Sequence, residues 1–83
     1  MSVSRVDLIL GLQDIFRDVF LDGSLVISEE TSPLEIEEWD SLAHITLVTT
    51  VEKAFDMRMS ADDIGDINSV QMLIDVIIKN SNS

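Results

Sequence analysis

The residues with the clearest chemical potential lie near the middle of the chain: Asp40, Ser41 and His44. Ser41 stands where a long acidic segment meets a periodic apolar pattern, so its hydroxyl is predicted to lie at a helix N-terminus. Asp40 can act as the N-cap, because a carboxylate there accepts hydrogen bonds from unpaired backbone N–H groups of the first turn. The helix dipole and those amides also favour an anion on the serine. The pattern indicates that Ser41 is a covalent attachment point that another protein can reach.

The same three residues also raise the hypothesis of a hydrolase, with Ser41 as nucleophile, His44 as base and Asp40 as orienting carboxylate. Such a site needs the base within hydrogen-bond reach of the serine, a group that orients the base, and an oxyanion hole. Here one helical turn would supply all three side chains, without a glycine-rich turn and with too little chain for a substrate cleft. We therefore predict no catalytic residues. His44 is interpreted as a partly buried structural residue.

The composition excludes several classes of function. The net charge of −11 argues against nucleic-acid binding, because phosphate contacts require Lys and Arg. The same charge either attracts partners with basic patches or simply keeps a small protein soluble. With no cysteine the chain has neither a disulfide framework nor a thiolate metal site, so any thiol must come from a prosthetic group.

The sequence predicts a single domain in the cytoplasm. No apolar run approaches the roughly 18 residues of a membrane-spanning helix, and the first residues lack the pattern of a secretory signal. The acidic residues concentrate in 29–40 and 56–66, on both sides of the helix that begins at Ser41. Asp62, Asp63 and Asp66 do not have the spacing of a calcium loop, so no metal site is predicted.

Apolar periodicity predicts an all-α fold with three long helices and one short helix in residues 1–83. The predicted helices cover about residues 4–20, 41–55, 61–65 and 69–79, and a long loop covers 21–39. Ser2 or Ser4 is expected to cap the first helix, and Gly23 is expected to take the left-handed conformation that stops it. Ser60 and Asp63 have the spacing of a capping box, and Ser69 is expected to cap the last helix.

The same periodicity predicts which side chains are buried. The buried faces of the three long helices are expected to carry Leu8, Ile9, Leu12, Ile15, Phe16, Val19, Phe20, Ile45, Leu47, Val48, Val51, Phe55, Val70, Leu73, Ile74 and Ile77. In the long loop the expected apolar contacts are Leu25, Val26, Ile27, Leu34, Ile36 and Trp39. Trp39 is expected to pack against the bundle rather than to contact cargo or a partner. Met57, Met59 and Met72 are expected to fill gaps in the core.

Leu42 is the exception on its helix. It falls on the solvent side, between Thr49 and Lys53 on the helical wheel, one residue from the serine. A single exposed leucine means little by itself. Beside an attachment site, however, we expect it to anchor a docking enzyme.

The whole pattern resembles the acyl carrier proteins, small helical carriers modified with 4'-phosphopantetheine on the serine of an Asp-Ser-Leu motif. The resemblance covers nearly all 83 residues. It rests on Asp40-Ser41-Leu42, on the apolar positions of the helix that follows, on Glu52-x-x-Phe55-Asp56, and on the segment 67–71. The tripeptide alone is common, but the tripeptide with this spacing on both sides is specific.

The resemblance implies an acyl-carrier-like bundle without catalytic activity of its own. A phosphopantetheinyl transferase would attach 4'-phosphopantetheine from coenzyme A to Ser41, with Asp40 and Leu42 flanking the site. The arm would carry acyl intermediates as thioesters between enzymes of fatty acid, polyketide or related specialised biosynthesis. Acyl-transferring, ligase or synthase enzymes with basic patches are the implied partners of a monomer. The residues expected to dock them are Leu42, Glu38, Thr46, Glu52, Asp62 and Asp63.

Two features depart from the pattern of many fatty-acid carriers. Glu37-Glu38-Trp39 precedes the motif in place of a glycine-containing Leu-Gly-x, and the outward face of the second helix is rich in threonine. Both favour a stand-alone carrier for a dedicated pathway, with a short acyl, hydroxyacyl or aminoacyl cargo. The alternative hypothesis is an unmodified acidic helical adaptor that binds basic partner proteins.

Overall fold

The computed structural model describes residues 4–81, and its regular elements are four helices. They are α1 (Arg5–Val19), α2 (Ser41–Phe55), α3 (Ala61–Asp66) and α4 (Val70–Ser81). Residues 4–81 contain no strand. The all-α class and the division into three long helices and one short helix are therefore confirmed. The expected cap at Ser2 lies outside the described residues, while Ser4 is the N-cap of α1 without a side-chain hydrogen bond.

The core lies where α1, α2 and α4 meet, and it matches most of the predicted faces. Its buried apolar side chains are Leu8, Leu12, Ile15, Phe16, Ile27, Ile36, Trp39, Leu47, Val48, Val51, Met59, Ile67, Val70, Leu73, Ile74, Val76 and Ile77. Ile9, Val19, Phe20 and Phe55 pack against this core while half-buried. Burial of these stripes, rather than intrinsic helix propensity, is what stabilises helices of this length.

The end of α1 differs from the prediction. Leu21, and not Gly23, takes the left-handed conformation, with a φ of 53°. The N–H of Asp22 donates to the carbonyl of Arg17 over 3.0 Å, which satisfies a carbonyl of the last turn. The Asp22 carboxylate then accepts the N–H of Ser24 at 3.0 Å, a turn that spans Gly23 without a positive φ.

The loop between α1 and α2 is held by its backbone as much as by its apolar side chains. The carbonyls of Glu29 and Thr31 accept the N–H groups of Gln71 and Val70, each at 2.9 Å, and so cap the start of α4. The predicted contacts Ile27, Ile36 and Trp39 are buried, and Leu25 is half-buried.

Two of the predicted loop contacts were wrong. Val26 is 73% exposed and Leu34 is 98% exposed. The reason is that the hydrogen bonds of the loop backbone set which side chains turn inward, and an apolar residue in a loop without a period gives no such direction.

Two serines cap the shorter helices as predicted. Ser60 Oγ accepts the N–H of Asp63 at 3.1 Å, and Ser69 Oγ accepts the N–H of Met72 at 3.3 Å. The reciprocal half of the capping box is absent, because the Asp63 carboxylate instead accepts a hydrogen bond from Lys79 Nζ at 2.7 Å. This ion pair joins α3 to α4.

Candidate functional site

Ser41 is the first residue of α2, and its side chain is exposed. Asp40 is the N-cap, as predicted: its Oδ1 accepts the N–H of Ala43 at 2.9 Å, and its carbonyl accepts the N–H of His44 at 2.8 Å. The N–H groups of Ser41 and Leu42 form no hydrogen bond within residues 4–81. The serine hydroxyl therefore lies beside two free backbone donors at the positive end of the helix dipole.

Trp39 fills the space behind the start of α2. It is 5% exposed, and its ring meets that of Phe16 edge-on, with centroids 5.3 Å apart at 85°. Phe20 adds a tilted contact at 6.4 Å. The prediction that this tryptophan packs against the bundle is confirmed, and the contact fixes the end of the long loop next to Ser41.

His44 is half-buried, and both of its ring nitrogens form hydrogen bonds. Trp39 Nε1–H donates to His44 Nδ1 at 3.0 Å, and His44 Nε2 lies 2.9 Å from the carbonyl oxygen of Ile64. Because the indole can only donate and the carbonyl can only accept, the neutral imidazole must accept at Nδ1 and donate from Nε2. The structural role predicted for His44 is confirmed.

These hydrogen bonds also exclude the hydrolase arrangement. Neither nitrogen of His44 is left to accept the hydroxyl proton of Ser41, and the carboxylate of Asp40 is turned to the N–H of Ala43. A serine nucleophile requires a base that is itself oriented by a third group. In this geometry no such chain of groups forms.

A surface groove of about 470 Å³ begins beside Ser41. Its lining is formed by Pro33, Trp39, Asp40, Ser41, His44, Ile45, Ile64, Gly65 and Ile67. The prediction that Ile45 is a core residue was wrong, because this side chain is 54% exposed on the wall of the groove. The short α3 faces this part of α2 across the groove and leaves Ile45 partly uncovered.

Sequence reasoning did not find the opposite wall of the groove. Ile64, Gly65 and Ile67 come from α3 and its C-cap, and Pro33 comes from the long loop. The available signal was the apolar character of Ile64 and Ile67 inside an acidic segment. That signal shows that they are buried somewhere, but it does not show that they face Ser41.

The residues predicted to dock partners have unequal exposure. Leu42 is 78% exposed, and Glu38, Thr46 and Asp62 are also exposed. Thr46 lies one turn after Leu42, and its hydroxyl donates to the Leu42 carbonyl at 3.2 Å. Glu38, Leu42 and Thr46 lie near Ser41 along the chain, and Asp62 lies on α3, which contributes Ile64 and Gly65 to the groove beside Ser41.

Glu52 and Asp63 are engaged inside the domain. The Glu52 carboxylate accepts the N–H of Met59 at 2.7 Å, and Asp63 is 8% exposed in its ion pair with Lys79. The hydrogen bond from Lys79 lowers the pKa of Asp63, since it stabilises the charged carboxylate. Asp63 is thus held against α4, whereas Glu52 is half-buried and uses one of its two carboxylate oxygens for the bond from Met59. A docking role for these two residues stays a prediction.

Within residues 4–81, no group of three or more His, Asp or Glu side chains is arranged to hold a metal ion. None of the helices in that part of the chain is long and apolar enough to cross a membrane.

Comparison with known proteins identifies the fold and the family. No protein-family model matches the chain, and no curated protein matches it significantly. Among solved structures, the holo acyl carrier protein of Geobacter metallireducens is 32% identical with a TM-score of 0.82, over 89% of this chain and 85% of that one. The acyl carrier protein of Thermotoga maritima is 29% identical with a TM-score of 0.82, over 94% and 91% of the two chains. Given this identity over most of both chains, the protein belongs to the acyl carrier protein family.

Proposed function

We propose that Ser41 carries 4'-phosphopantetheine and that the protein shuttles acyl groups, as thioesters on that arm, between biosynthetic enzymes. The observation that carries this proposal is the exposed hydroxyl of Ser41 at the start of α2, beside the free N–H groups of Ser41 and Leu42. Those donors and the helix dipole favour a phosphodiester at that position. The Asp40 carboxylate is directed to Ala43, which leaves the hydroxyl itself free.

The attachment reaction makes one demand on this chain, namely an accessible hydroxyl. Ser41 Oγ attacks the phosphorus that bears the pantetheine unit of coenzyme A, and a new P–O bond forms. The bond between that phosphorus and the adenosine bisphosphate breaks, and the hydroxyl proton passes to a base of the transferase. Once bound, the group supplies the thiol that the cysteine-free chain lacks. The protein is thus a substrate of the transferase and has no turnover of its own.

The exposed surface beside Ser41 supports docking of partner enzymes there. Leu42 offers an exposed apolar anchor, Glu38 and Thr46 lie near it along the chain, and Asp62 adds an exposed carboxylate on α3. An exposed apolar side chain with polar and acidic residues around it can become the buried centre of an interface when a partner docks. The net charge of −11 would speed encounters with basic patches of the transferase, synthase or ligase. The protein would meet these partners as a monomer.

For the pathway we propose a dedicated carrier of specialised biosynthesis, within the broader set of fatty acid and polyketide carriers. The outward face of α2 supports this proposal, because it displays Thr46 and Thr49 where acids would match a general set of basic partners. The acid on this helix, Glu52, is bound to the backbone of Met59. Partner enzymes would therefore have to match a face of α2 on which hydroxyl groups outnumber charges.

The intact mass of the protein tests the attachment. The protein would be incubated with coenzyme A, magnesium and a broad-specificity phosphopantetheinyl transferase. Wild type and the control Ser24→Ala, which alters another exposed serine, should each gain one phosphopantetheinyl group. Ser41→Ala should gain none. A folded wild-type sample that gains no mass would refute the carrier and favour the acidic adaptor that binds basic proteins.

A further inference from the structure

Three parts of the fold meet at one imidazole. Trp39 Nε1–H donates to His44 Nδ1, and His44 Nε2–H donates to the carbonyl of Ile64. The indole also lies nearly parallel to the imidazole, with ring centroids 6.1 Å apart at 21°. This Trp39–His44–Ile64 bridge connects the long loop, α2 and α3. All three residues line the groove beside Ser41.

We infer that the Trp39–His44–Ile64 bridge holds α3 against α2 and thereby restricts the cargo sheltered beside Ser41 to short acyl groups. This inference rests on the proposed carrier function and specifies its substrate class. His44 is then a positioning residue, because it touches the groove and sets the place of the opposite wall. The position of α3 depends on the bridge, and the shape of the groove depends on the position of α3.

The position of α3 depends on contacts outside itself. It has six residues, and a helix of one to two turns is not stable alone in water. The Ser60 cap is local to α3, and the ion pair of Asp63 with Lys79 attaches it to α4. Among the described residues, the bond from His44 to Ile64 is the hydrogen bond that joins α2 to α3. Ile64 also packs against the core and Ile67 is buried, so loss of that bond would loosen the groove-facing end of α3 without releasing it.

Trp39 and His44 of the bridge also lie between the groove and the core. Trp39 is 5% exposed, and it packs edge-on against Phe16, which has no exposed surface. A chain that entered the groove along Ile45 and Ile67 would therefore meet Trp39 and His44 before it reached the core. The groove volume of about 470 Å³ lies toward the lower end of the range for small-molecule pockets, roughly 300–1,000 Å³. The apolar walls favour methylene groups, and the small volume of the groove above Trp39 and His44 limits how many can be covered.

The first experiment measures the bridge in the unmodified protein. His44→Phe keeps a flat ring against Trp39 but removes both hydrogen bonds, and Ile77→Val is a matched control of reduced stability in α4, far along the chain from the groove. The Trp39 indole N–H loses its acceptor directly, while the Ile64 amide, which donates to the carbonyl of Ser60 at 3.0 Å, reports the opening of α3. Hydrogen exchange by NMR should show both protons exchanging about tenfold faster in His44→Phe. Ile77→Val should not single out these two protons. Equal rates in His44→Phe and wild type would overturn the inference.

The second experiment measures the cargo. The broad-specificity transferase would load Ser41 from butanoyl or dodecanoyl coenzyme A. Hydroxylamine would then cleave each thioester, and the rate would be compared with the rate for the free acyl-pantetheine. Wild type should slow cleavage of the butanoyl thioester and leave the dodecanoyl thioester nearly unprotected. His44→Phe should protect the dodecanoyl thioester more than wild type does, and Ile77→Val should behave like wild type.

The outcomes separate this inference from the proposed function. Equal protection of both chain lengths by wild type would overturn the limit on cargo length while the carrier function stood. A folded protein that cannot be loaded at Ser41 would overturn the carrier function, and the limit on cargo would fall with it. The hydrogen-exchange rates would still decide whether His44 holds α3.

Discussion

Two leucines of α2 allow a direct test of how the helix divides its surface between core and partners. Leu42 is 78% exposed next to Ser41, whereas Leu47 is fully buried five residues later. The same substitution to alanine at each position removes the same atoms from the same helix. Any difference in effect must therefore come from the surroundings of the side chain.

The expected effects on stability are far apart. Leu47→Ala removes a buried side chain and leaves a cavity, which costs about 2–5 kcal/mol. For 83 residues at about 0.05–0.15 kcal/mol per residue, the whole free energy of unfolding is about 4–12 kcal/mol. Leu47→Ala should therefore lower the melting temperature by about 8 °C or more, at about 4–8 °C per kcal/mol in a domain of this size. Leu42→Ala should change stability by no more than about 0.5 kcal/mol.

The assay combines urea denaturation with the rate of modification. Helical circular dichroism and the fluorescence of the single tryptophan would each give the free energy of unfolding. Leu42→Ala should unfold like wild type but accept phosphopantetheine more slowly, because the transferase loses an apolar contact. A loss of more than about 1.5 kcal/mol in Leu42→Ala, as expected only for a well-packed side chain, would refute its placement on the surface. An unchanged modification rate would refute its role in docking the transferase.

Two further predictions concern the core and the ion pair between α3 and α4. Phe16→Ala should lower the free energy of unfolding by about 3–5 kcal/mol in urea denaturation. Phe55→Ala should lower it less, because Phe16 has no exposed surface and Phe55 is half-buried. Equal losses would contradict the burial described for Phe55. The hydrogen bond from Lys79 lowers the pKa of Asp63 in the folded protein. The pair therefore stabilises the fold fully above the ordinary aspartate pKa of about 3.9, and this contribution is lost as the pH falls from there through the lowered pKa of Asp63. Asp63→Asn should therefore lower the urea midpoint at neutral pH and differ less from wild type in acid, while Asp62→Asn, a change at an exposed carboxylate, should not show that pattern.

The local features of the chain were predictable because they depend on neighbours in sequence. The helix that begins at Ser41 follows from the cap at Asp40 and the apolar period after it, and both are seen in the structure. The Ser60 and Ser69 caps were found in the same way. In each case the hydrogen bond joins residues that are three positions apart.

Periodicity failed where the neighbouring element was short or irregular. The helical wheel puts Ile45 on the inner face of α2, but near the start of α2 this face borders the groove beside α3. Leu34 is apolar, yet the path of the loop leaves it 98% exposed. A helical wheel or a hydrophobicity pattern gives the direction of a side chain within its own element. It does not reveal which part of the fold lies next to that side chain.

The sequence by itself therefore determined the helices, most of the buried faces, the location of Ser41 at a helix N-terminus, and the acidity of the surface. These properties come from local hydrogen bonds, the helical period and composition. Only the tertiary structure decided that His44 joins Trp39 to Ile64, that Asp63 is held by Lys79, and that a groove opens beside Ser41. The physical reason is that these contacts join residues on different elements, most of them far apart in sequence, and their meeting depends on how the helices pack around the shared core.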